Sequence, residues 1–126
     1  MIVPNREYSF DVECFEKNEK RTDVSYERLI SGKHGDTDYH KLFSYPHMCS
    51  KVTNNTINSD KKLFISGDSQ MIPSIAFLAS HFKEVYYFDN RTSKSFKGII
   101  ESNDYTDVLF AIGNNDIQKY TQENLK

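Results

Sequence analysis

The clearest pattern in the sequence is a short apolar run that leads into a polar turn. Leu63, Phe64 and Ile65 are consecutive apolar residues, which is typical of a strand buried on both faces. The turn Gly67-Asp68-Ser69 follows, and apolar positions then recur at helical spacing from Pro73 to Phe82. Proline is tolerated there because a first helical turn leaves its own N–H groups unpaired. The pattern predicts a strand, a turn at Ser69 and a helix.

The same alternation continues towards the C-terminus. Apolar spacing predicts the strand Glu84–Phe88, a helix around Ser95–Ser102, the strand Asp107–Ile112 and a final helix Ile117–Leu125. A βαβαβα series implies a parallel sheet with right-handed crossovers and helices on its faces. If the first and third strands of this series are neighbours, their polar turns meet at the carboxyl edge of the sheet, where ligands bind in such folds.

The N-terminal half has a weaker pattern. Ile2-Val3-Pro4 predicts a short edge strand, and residues 11–33 are strongly charged with weak helical periodicity, which indicates a solvated helix or a mobile arm. Residues 32–40 form a polar, turn-rich loop with two histidines, and residues 42–52 suggest a short helix interrupted at Pro46. Residues 53–60 are polar and predict a connecting loop.

Length and charge limit the function classes. The 126 residues predict one domain, 1–126, with an irregular part at 1–60 and the βαβαβα core at 61–126. The chain carries 16 basic and 18 acidic side chains, so charge predicts neither a nucleic-acid partner nor a membrane-surface partner. No apolar run is long enough to span a membrane, and the N-terminus lacks the features of a secretion signal. We therefore expect a cytoplasmic protein, with the cell envelope as the alternative.

Neither the cysteines nor the histidine-rich loop predicts a metal site. Cys14 and Cys49 match no metal-ligand spacing, and one pair in a chain of this size predicts two reduced thiols. The alternating histidines and aspartates of residues 34–40 could bind a metal in principle, but nothing else in the sequence supports a site. We expect no cofactor and no metal.

Two polar turns carry the candidate chemistry. Ser69, at a strand tip, is either a nucleophile or the N-cap of the helix that follows. Gly113-Asn114-Asn115-Asp116 ends the third strand, and the Asn115 amide either donates to a developing oxyanion or satisfies its own turn. An oxyanion donor can supply about 2.7–4 kcal/mol of transition-state stabilisation.

These turns resemble the first and third blocks, GDS and GxND, of the SGNH (GDSL-like) hydrolase superfamily. The resemblance implies a three-layer α/β/α sandwich with a short parallel sheet, flavodoxin-like in topology. It further implies acyl-ester chemistry through Ser69, with the Ser69 N–H and Asn115 in the oxyanion hole and Gly113 beside them.

The position of the histidine separates this chain from most of that superfamily. The usual Asp-x-x-His pair follows the third block, whereas no histidine follows His81 here. Asp38-Tyr39-His40 resembles the Asp-x-His-Trp motif of the SGNH-like O-acetyltransferases of bacterial exopolysaccharides, the AlgX, AlgJ and DHHW-type proteins, in which the pair precedes the serine. Lys41 replaces the tryptophan.

This second resemblance implies roles for three more residues. His40 would be the general base and Asp38 would orient it, with His34 and His47 as the alternatives for the base. Phe88-Asp89-Asn90-Arg91 resembles the segment that brings an arginine towards the active site, although Arg91 is by default a surface charge.

The sequence therefore predicts a serine-dependent acyl-ester hydrolase or O-acetyltransferase that acts on an acylated carbohydrate or a small ester through an acyl-enzyme. The alternative is a non-catalytic, truncated or degenerate domain that binds a glycan or a protein. A flavodoxin-like nucleotide or phosphate binder would need a glycine-rich cradle, which the chain lacks. The oligomeric state stays open, a homo-oligomer included.

Overall fold

The computed structural model describes residues 7–15, 19–25, 32–33, 36–37, 49–89 and 97–111. The strands are β1 Ser9–Cys14, β2 Glu19–Ser25, β3 Gly32–Lys33, β4 Asp36–Thr37, β5 Cys49–Asn54, β6 Lys62–Gly67, β7 Glu84–Asp89 and β8 Asp107–Ala111. The helices are α1 Ile72–Ala79, preceded by a single 3-10 turn at Ser69–Met71, and α2 Lys97–Glu101.

Six of these strands form one mixed sheet in the order β2-β1-β5-β7-β6-β8. The pairs on the β2 side, up to and including β5 with β7, are antiparallel. The pairs of β6 with β7 and with β8 are parallel. Strand β7 therefore joins an antiparallel half to a parallel half. Strands β3 and β4 form a separate antiparallel pair inside the predicted polar loop.

The predicted three-layer, flavodoxin-like α/β/α sandwich is wrong. Half of the sheet is antiparallel, and the described helices are only the eight-residue α1 and the five-residue α2. Strands β1 and β2 of the antiparallel half lie mostly within residues 11–33, for which the charge pattern indicated a solvated helix or a mobile arm. In β1, Phe10, Val12 and Cys14 are buried while the residues between them are partly exposed, which is the period-two pattern of a strand with one buried face. The helix predicted for 42–52 is also wrong where it is described, since Cys49 begins β5.

In the second half of the chain, the predicted strands and helices are confirmed where the structure describes them. Strands β6, β7 and β8 and helices α1 and α2 lie where the apolar spacing predicts them. The first and third strands of the series, β6 and β8, are hydrogen-bonded neighbours and run parallel. The predicted edge strand Ile2-Val3-Pro4 and the final helix Ile117–Leu125 lie outside the described residues.

The main core lies between the sheet and α1. Ile72, Ile75, Ala76 and Ala79 of the helix pack with inward-facing side chains of β1, β2, β5, β6 and β7. Burying each large aliphatic or aromatic side chain contributes about 1.5–3 kcal/mol. This packing holds α1 against both halves of the sheet and so determines where its N-terminus lies.

The C-terminal end of α1 is tied to the antiparallel half by Asn54, which is fully buried at the end of β5. Its Nδ2 donates to the Ala79 carbonyl at 2.9 Å, and its Oδ1 accepts from the N–H groups of Thr56 and Ile57 at 2.9 and 3.2 Å. A helix end leaves carbonyls without partners inside the helix, and this side chain satisfies one of them.

Candidate active site at the carboxyl edge of the parallel strands

Three strand ends lie side by side at one edge of the sheet. Gly67 ends the central strand β6, and it pairs with Asp89 on β7 and with Ala111 on β8. In the sequence, Ser69 follows Gly67 by two residues, Arg91 follows Asp89 by two and Asn115 follows Ala111 by four. The edge is the carboxyl end of the parallel strands, where the sequence places the candidate chemistry.

Asp68 caps the turn that follows β6. Its Oδ1 accepts a hydrogen bond from the Gln70 N–H at 2.8 Å, and its carbonyl accepts one from the Met71 N–H at 3.1 Å. Asp68 is therefore the capping carboxylate of this turn. A capping serine at position 69 would accept a hydrogen bond from the N–H two residues later, which belongs to Met71. The Asp68 carbonyl already accepts from that N–H. The turn is thus held by the residue before Ser69.

Gly67 allows this turn to lie close to its neighbours. A Cβ at this position would be 2.8 Å from Met71 Cγ and 3.1 Å from the Ala111 carbonyl oxygen. The fully buried Tyr87 supports the same turn from β7, since its hydroxyl donates to the Asp68 carbonyl at 2.9 Å and lies 3.4 Å from the Gly67 carbonyl. Close packing and a buried phenol therefore restrict the backbone that leads into Ser69.

The structure places part of the predicted site. The backbone of Ser69 begins the 3-10 turn between β6 and α1, as the sequence predicts. The other predicted site residues and the alternative bases lie outside the described residues: Asp38, His40, Arg91, Gly113, Asn115, His34 and His47. The catalytic and oxyanion assignments therefore stay predictions. Asp38 directly follows β4 in the chain.

His81 is the one histidine among the residues that the structure describes. It follows α1, and its exposed ring meets Phe77 edge-on, with 5.1 Å between the ring centroids. The eight residues of α1 separate it from the Ser69 turn, which corresponds to about 12 Å of helix. His81 is therefore at the wrong end of the helix to act as a base for Ser69.

Asp89 is a buried carboxylate at this edge, and sequence reasoning named it only as part of the segment that carries Arg91. It is 1% exposed and has interaction partners of its own. Its place directly after the apolar residues that end at Phe88 is the only sequence signal, since its register with Gly67 is a property of the assembled sheet. Nearby on β5, opposite Tyr87, the Ser50 hydroxyl is fully buried and has no hydrogen-bond partner in the described part of the chain.

An aromatic cluster covers the opposite face of the sheet. Phe64 stacks on Tyr86 and meets Tyr105 edge-on, with centroids 5.6 and 5.4 Å apart. Burial, with smaller contributions from Cys49, Tyr105 and Glu13, raises the pKa of Tyr86 above its usual range. Burial, together with Glu84, raises the pKa of Tyr105 to about 12. Both phenols stay protonated at neutral pH. The cluster therefore stabilises the core on this face and supplies no general base to the carboxyl edge of the parallel strands.

The described residues contain no group of metal-ligating side chains. Within the same ranges, no helix has the length and apolar character that a membrane span requires. Both cysteines are reduced thiols, as predicted.

Comparison with known proteins identifies similar folds only among solved structures. By sequence, the chain matches no protein-family model and no curated protein. A DHHW family protein from Eubacterium siraeum aligns with a TM-score of 0.57 and 21% identity over 90% of this chain and 39% of its own. PatB1 from Bacillus cereus, solved with a sulfonyl adduct, aligns with a TM-score of 0.61 and 17% identity over 88% of this chain and 39% of its own.

A second PatB1 structure gives the same TM-score at 16% identity, with coverage of 37% of its length. The chain therefore spans about two fifths of the proteins that it resembles. At these identities the likeness concerns the fold, and it agrees with the DHHW-type part of the sequence resemblance. The chain shares its fold with a DHHW family protein and with PatB1.

Proposed function

We propose that the chain is a serine-dependent acyl-ester enzyme, a hydrolase or an O-acetyltransferase acting on an acylated carbohydrate, with Ser69 as the nucleophile. The observation that carries the proposal is the position of Ser69 directly after the central parallel strand, in a turn that Asp68 and Tyr87 already hold. The turn has a capping side chain besides Ser69, because Asp68 accepts the Gln70 N–H. The fold shared with a DHHW family protein adds support.

The proposed chemistry uses His40 and Asp38 from the earlier loop. The Ser69 hydroxyl attacks the acyl carbonyl while its proton passes to the His40 imidazole, and the Asp38 carboxylate stabilises the imidazolium. When the ester C–O bond breaks, the imidazolium returns the proton to the leaving alcohol, and an acyl-serine remains. Water or a sugar hydroxyl then attacks this acyl-serine with the same base. The acceptor alone distinguishes a hydrolase from a transferase.

The developing oxyanion requires hydrogen-bond donors at the same edge. We assign this role to the Ser69 N–H and to Asn115, with Gly113 allowing the turn to approach. The pairing of β8 with β6 supports the assignment, because Ala111 lies beside Gly67 and Asn115 follows four residues later. Loss of one such donor costs about 2.7–4 kcal/mol. Arg91, two residues after Asp89, would bind the substrate as a fixed positive charge.

A sulfonyl fluoride tests the nucleophile directly. Attack by the Ser69 oxygen forms an O–S bond, breaks the S–F bond, releases fluoride and passes the proton to the base. The sulfonyl adduct on the similarly folded PatB1 recommends this reagent. We expect phenylmethylsulfonyl fluoride to modify Ser69 in the wild type, by intact mass and peptide mapping, and to block release of p-nitrophenol from p-nitrophenyl acetate.

The matched control is a serine five residues further along. Ser69→Ala should give neither adduct nor turnover, whereas Ser74→Ala, at an exposed position on α1, should behave as the wild type. A wild-type protein that is folded yet forms no adduct and releases no p-nitrophenol would contradict the proposal. That outcome would favour the non-catalytic, glycan-binding or protein-binding alternative.

Single replacements of the histidines test the base. His40→Gln and Asp38→Asn should slow adduct formation at least about 100-fold, as expected when general-base catalysis is lost. His81→Gln is the control and should leave the rate unchanged, since that ring lies at the far end of α1. If His40→Gln reacts at the wild-type rate while His34→Gln or His47→Gln does not, the base assignment moves to that residue.

A further inference from the structure

Strand β8 is an outer strand of the six-stranded sheet, and its exposed surface is apolar. Among the strands that the structure describes, it pairs with β6 alone. Val108, Leu109 and Phe110 are 45, 37 and 44% exposed, and Asp107 is the one charged residue of the strand. An exposed apolar strand at the edge of a sheet is a template for pairing with a further strand.

The outer strand at the other end of the sheet, β2, has a different character. Four of its seven residues are charged. Its ladder with β1 contains a register shift, and Asp23 within it has a φ of 54°, in the left-handed region. Charged side chains and bulges are the means by which natural sheets prevent association between edges. The ladder of β8 with β6 is regular over all five residues. Of these two edges, β8 is therefore the one suited to pairing.

A second copy of β8 fits this edge in the antiparallel direction. Pairing along the whole strand places Leu109, its middle residue, opposite Leu109 of the partner subunit. Val108 then lies opposite Phe110 of the partner subunit, and aliphatic–aromatic pairs of this kind stabilise neighbouring strands. Asp107 lies opposite Ala111 of the partner subunit. The two Asp107 carboxylates are thus about 14 Å apart, which is beyond the Debye length at about 0.1 M salt.

We propose that β8 is a dimerisation edge, at which two copies of this chain pair antiparallel about a two-fold axis at Leu109 and join their sheets. A two-fold interface requires a surface that is complementary to itself, and the strand meets this requirement. The pairing engages five residues of β8 in each copy, compared with about 20–30 residues a side in a standard interface. The dimer is therefore weak and depends on protein concentration. The inference is independent of the proposed function.

Disulfide cross-linking tests the register. In Leu109→Cys the two new cysteines face each other with Cα atoms about 4.5–5.5 Å apart, which is within reach of a disulfide. The matched control is Val108→Cys, at the exposed neighbouring position, where the two Cα atoms are about 8 Å apart and out of reach. We expect mild oxidation to link at least about tenfold more of the Leu109→Cys protein into dimers. The wild type should not cross-link, because Cys14 and Cys49 are buried.

Sedimentation equilibrium measures the reversible dimer. We expect the apparent mass of the wild type to rise from one chain towards two as the concentration approaches about 1 mM. Leu109→Lys places two ammonium groups opposite each other and should raise the dissociation constant at least about tenfold. Thr22→Lys adds the same charge at an exposed position on β2 and should dimerise as the wild type does. Circular dichroism establishes folding, and Val108→Lys replaces a misfolded Leu109→Lys.

Several results would overturn the proposal. A wild type that stays monomeric at every concentration refutes it, as does a dimer that Leu109→Lys leaves intact or that Thr22→Lys dissociates equally. Equal cross-linking of Val108→Cys and Leu109→Cys refutes the register. Assemblies larger than a dimer also contradict it, because a closed two-fold pair uses β8 of both copies. If neither lysine variant of β8 folds, the cross-linking pair decides.

Discussion

Replacement of Gly67 by alanine should destabilise the protein, because the added methyl group has no room. The new Cβ would lie 2.8 Å from Met71 Cγ and 3.1 Å from the Ala111 carbonyl oxygen. Met71 can move its flexible side chain away, but the carbonyl belongs to β8, which pairs with β6 at this point. Forcing one methyl group into a packed site typically costs about 1–3 kcal/mol, and we expect Gly67→Ala to lose that much unfolding free energy.

The chain provides a control of opposite sign. Gly98 lies in α2, and a Cβ there would meet nothing within 4 Å. Alanine is favoured over glycine in a helix by about 1 kcal/mol, so Gly98→Ala should stabilise the protein by up to that amount. Urea unfolding followed by far-UV circular dichroism measures both variants, and equal m values would show that the comparison concerns stability alone.

A double variant separates the two contacts of Gly67. Combined with Met71→Ala, the Gly67→Ala change should cost less than it does alone, because the closer of the two contacts has been removed. The remaining cost reports the contact with the Ala111 carbonyl together with the 3.3 Å contact with the Cβ of residue 71, which alanine keeps. The reasoning is refuted if Gly67→Ala is as stable as the wild type, or if Gly98→Ala loses as much stability as Gly67→Ala does.

Three further predictions concern the rest of the fold. Asn54→Ala should cost about 2–3 kcal/mol in urea unfolding, because it removes one buried and two partly buried hydrogen bonds. Asn55→Ala, at the exposed neighbouring position, should cost less than about 0.5 kcal/mol, and equal costs would contradict this prediction. Tyr105 should ionise at about pH 12. A titration followed by tyrosinate absorbance should show this step in the wild type and not in Tyr105→Phe. The contribution of Tyr105 to stability should be complete below the pKa of about 10 in the unfolded chain, and it should be lost as the pH rises through 12. Ionisation of Tyr105 near pH 10 in the folded protein would refute this prediction. Cys14 and Cys49 belong to the cores on opposite faces of the sheet. Oxidised glutathione should therefore cross-link them only when urea unfolds the protein. A cross-link found by peptide mapping in the native protein would contradict the fold.

The sequence predicted those parts of the fold in which local pattern and tertiary role agree. Strand β6 is a continuous apolar run and is buried on both faces, so its pattern and its environment give the same answer. The turn at Gly67, Asp68 and Ser69 carries its own chemistry, and Asp68 makes the capping bond that its side chain suggests.

The antiparallel half was missed because charge concealed its alternation. In β1, Asp11 and Glu13 lie between buried apolar residues, and one face of this part of the sheet is polar, with a Glu13–Lys51 ion pair at 3.6 Å. High charge density suggested a solvated helix, although the period of two was present. The burial of Asp89 could not be predicted either, because it follows from the register of β7 with β6, and register is a property of the assembled sheet.

Strand β7 has a consequence for how the chain folds as it is synthesised. It alone joins the two halves of the described sheet, and α1 and β6, which complete the core, also come after β5. While the ribosome is still making this region, the antiparallel sheet of β2, β1 and β5 has an open edge at β5 and an uncovered apolar face. Such a nascent sheet recruits other strands readily. The period between the synthesis of Asn54 and that of Asp89 is therefore when this chain most needs a chaperone.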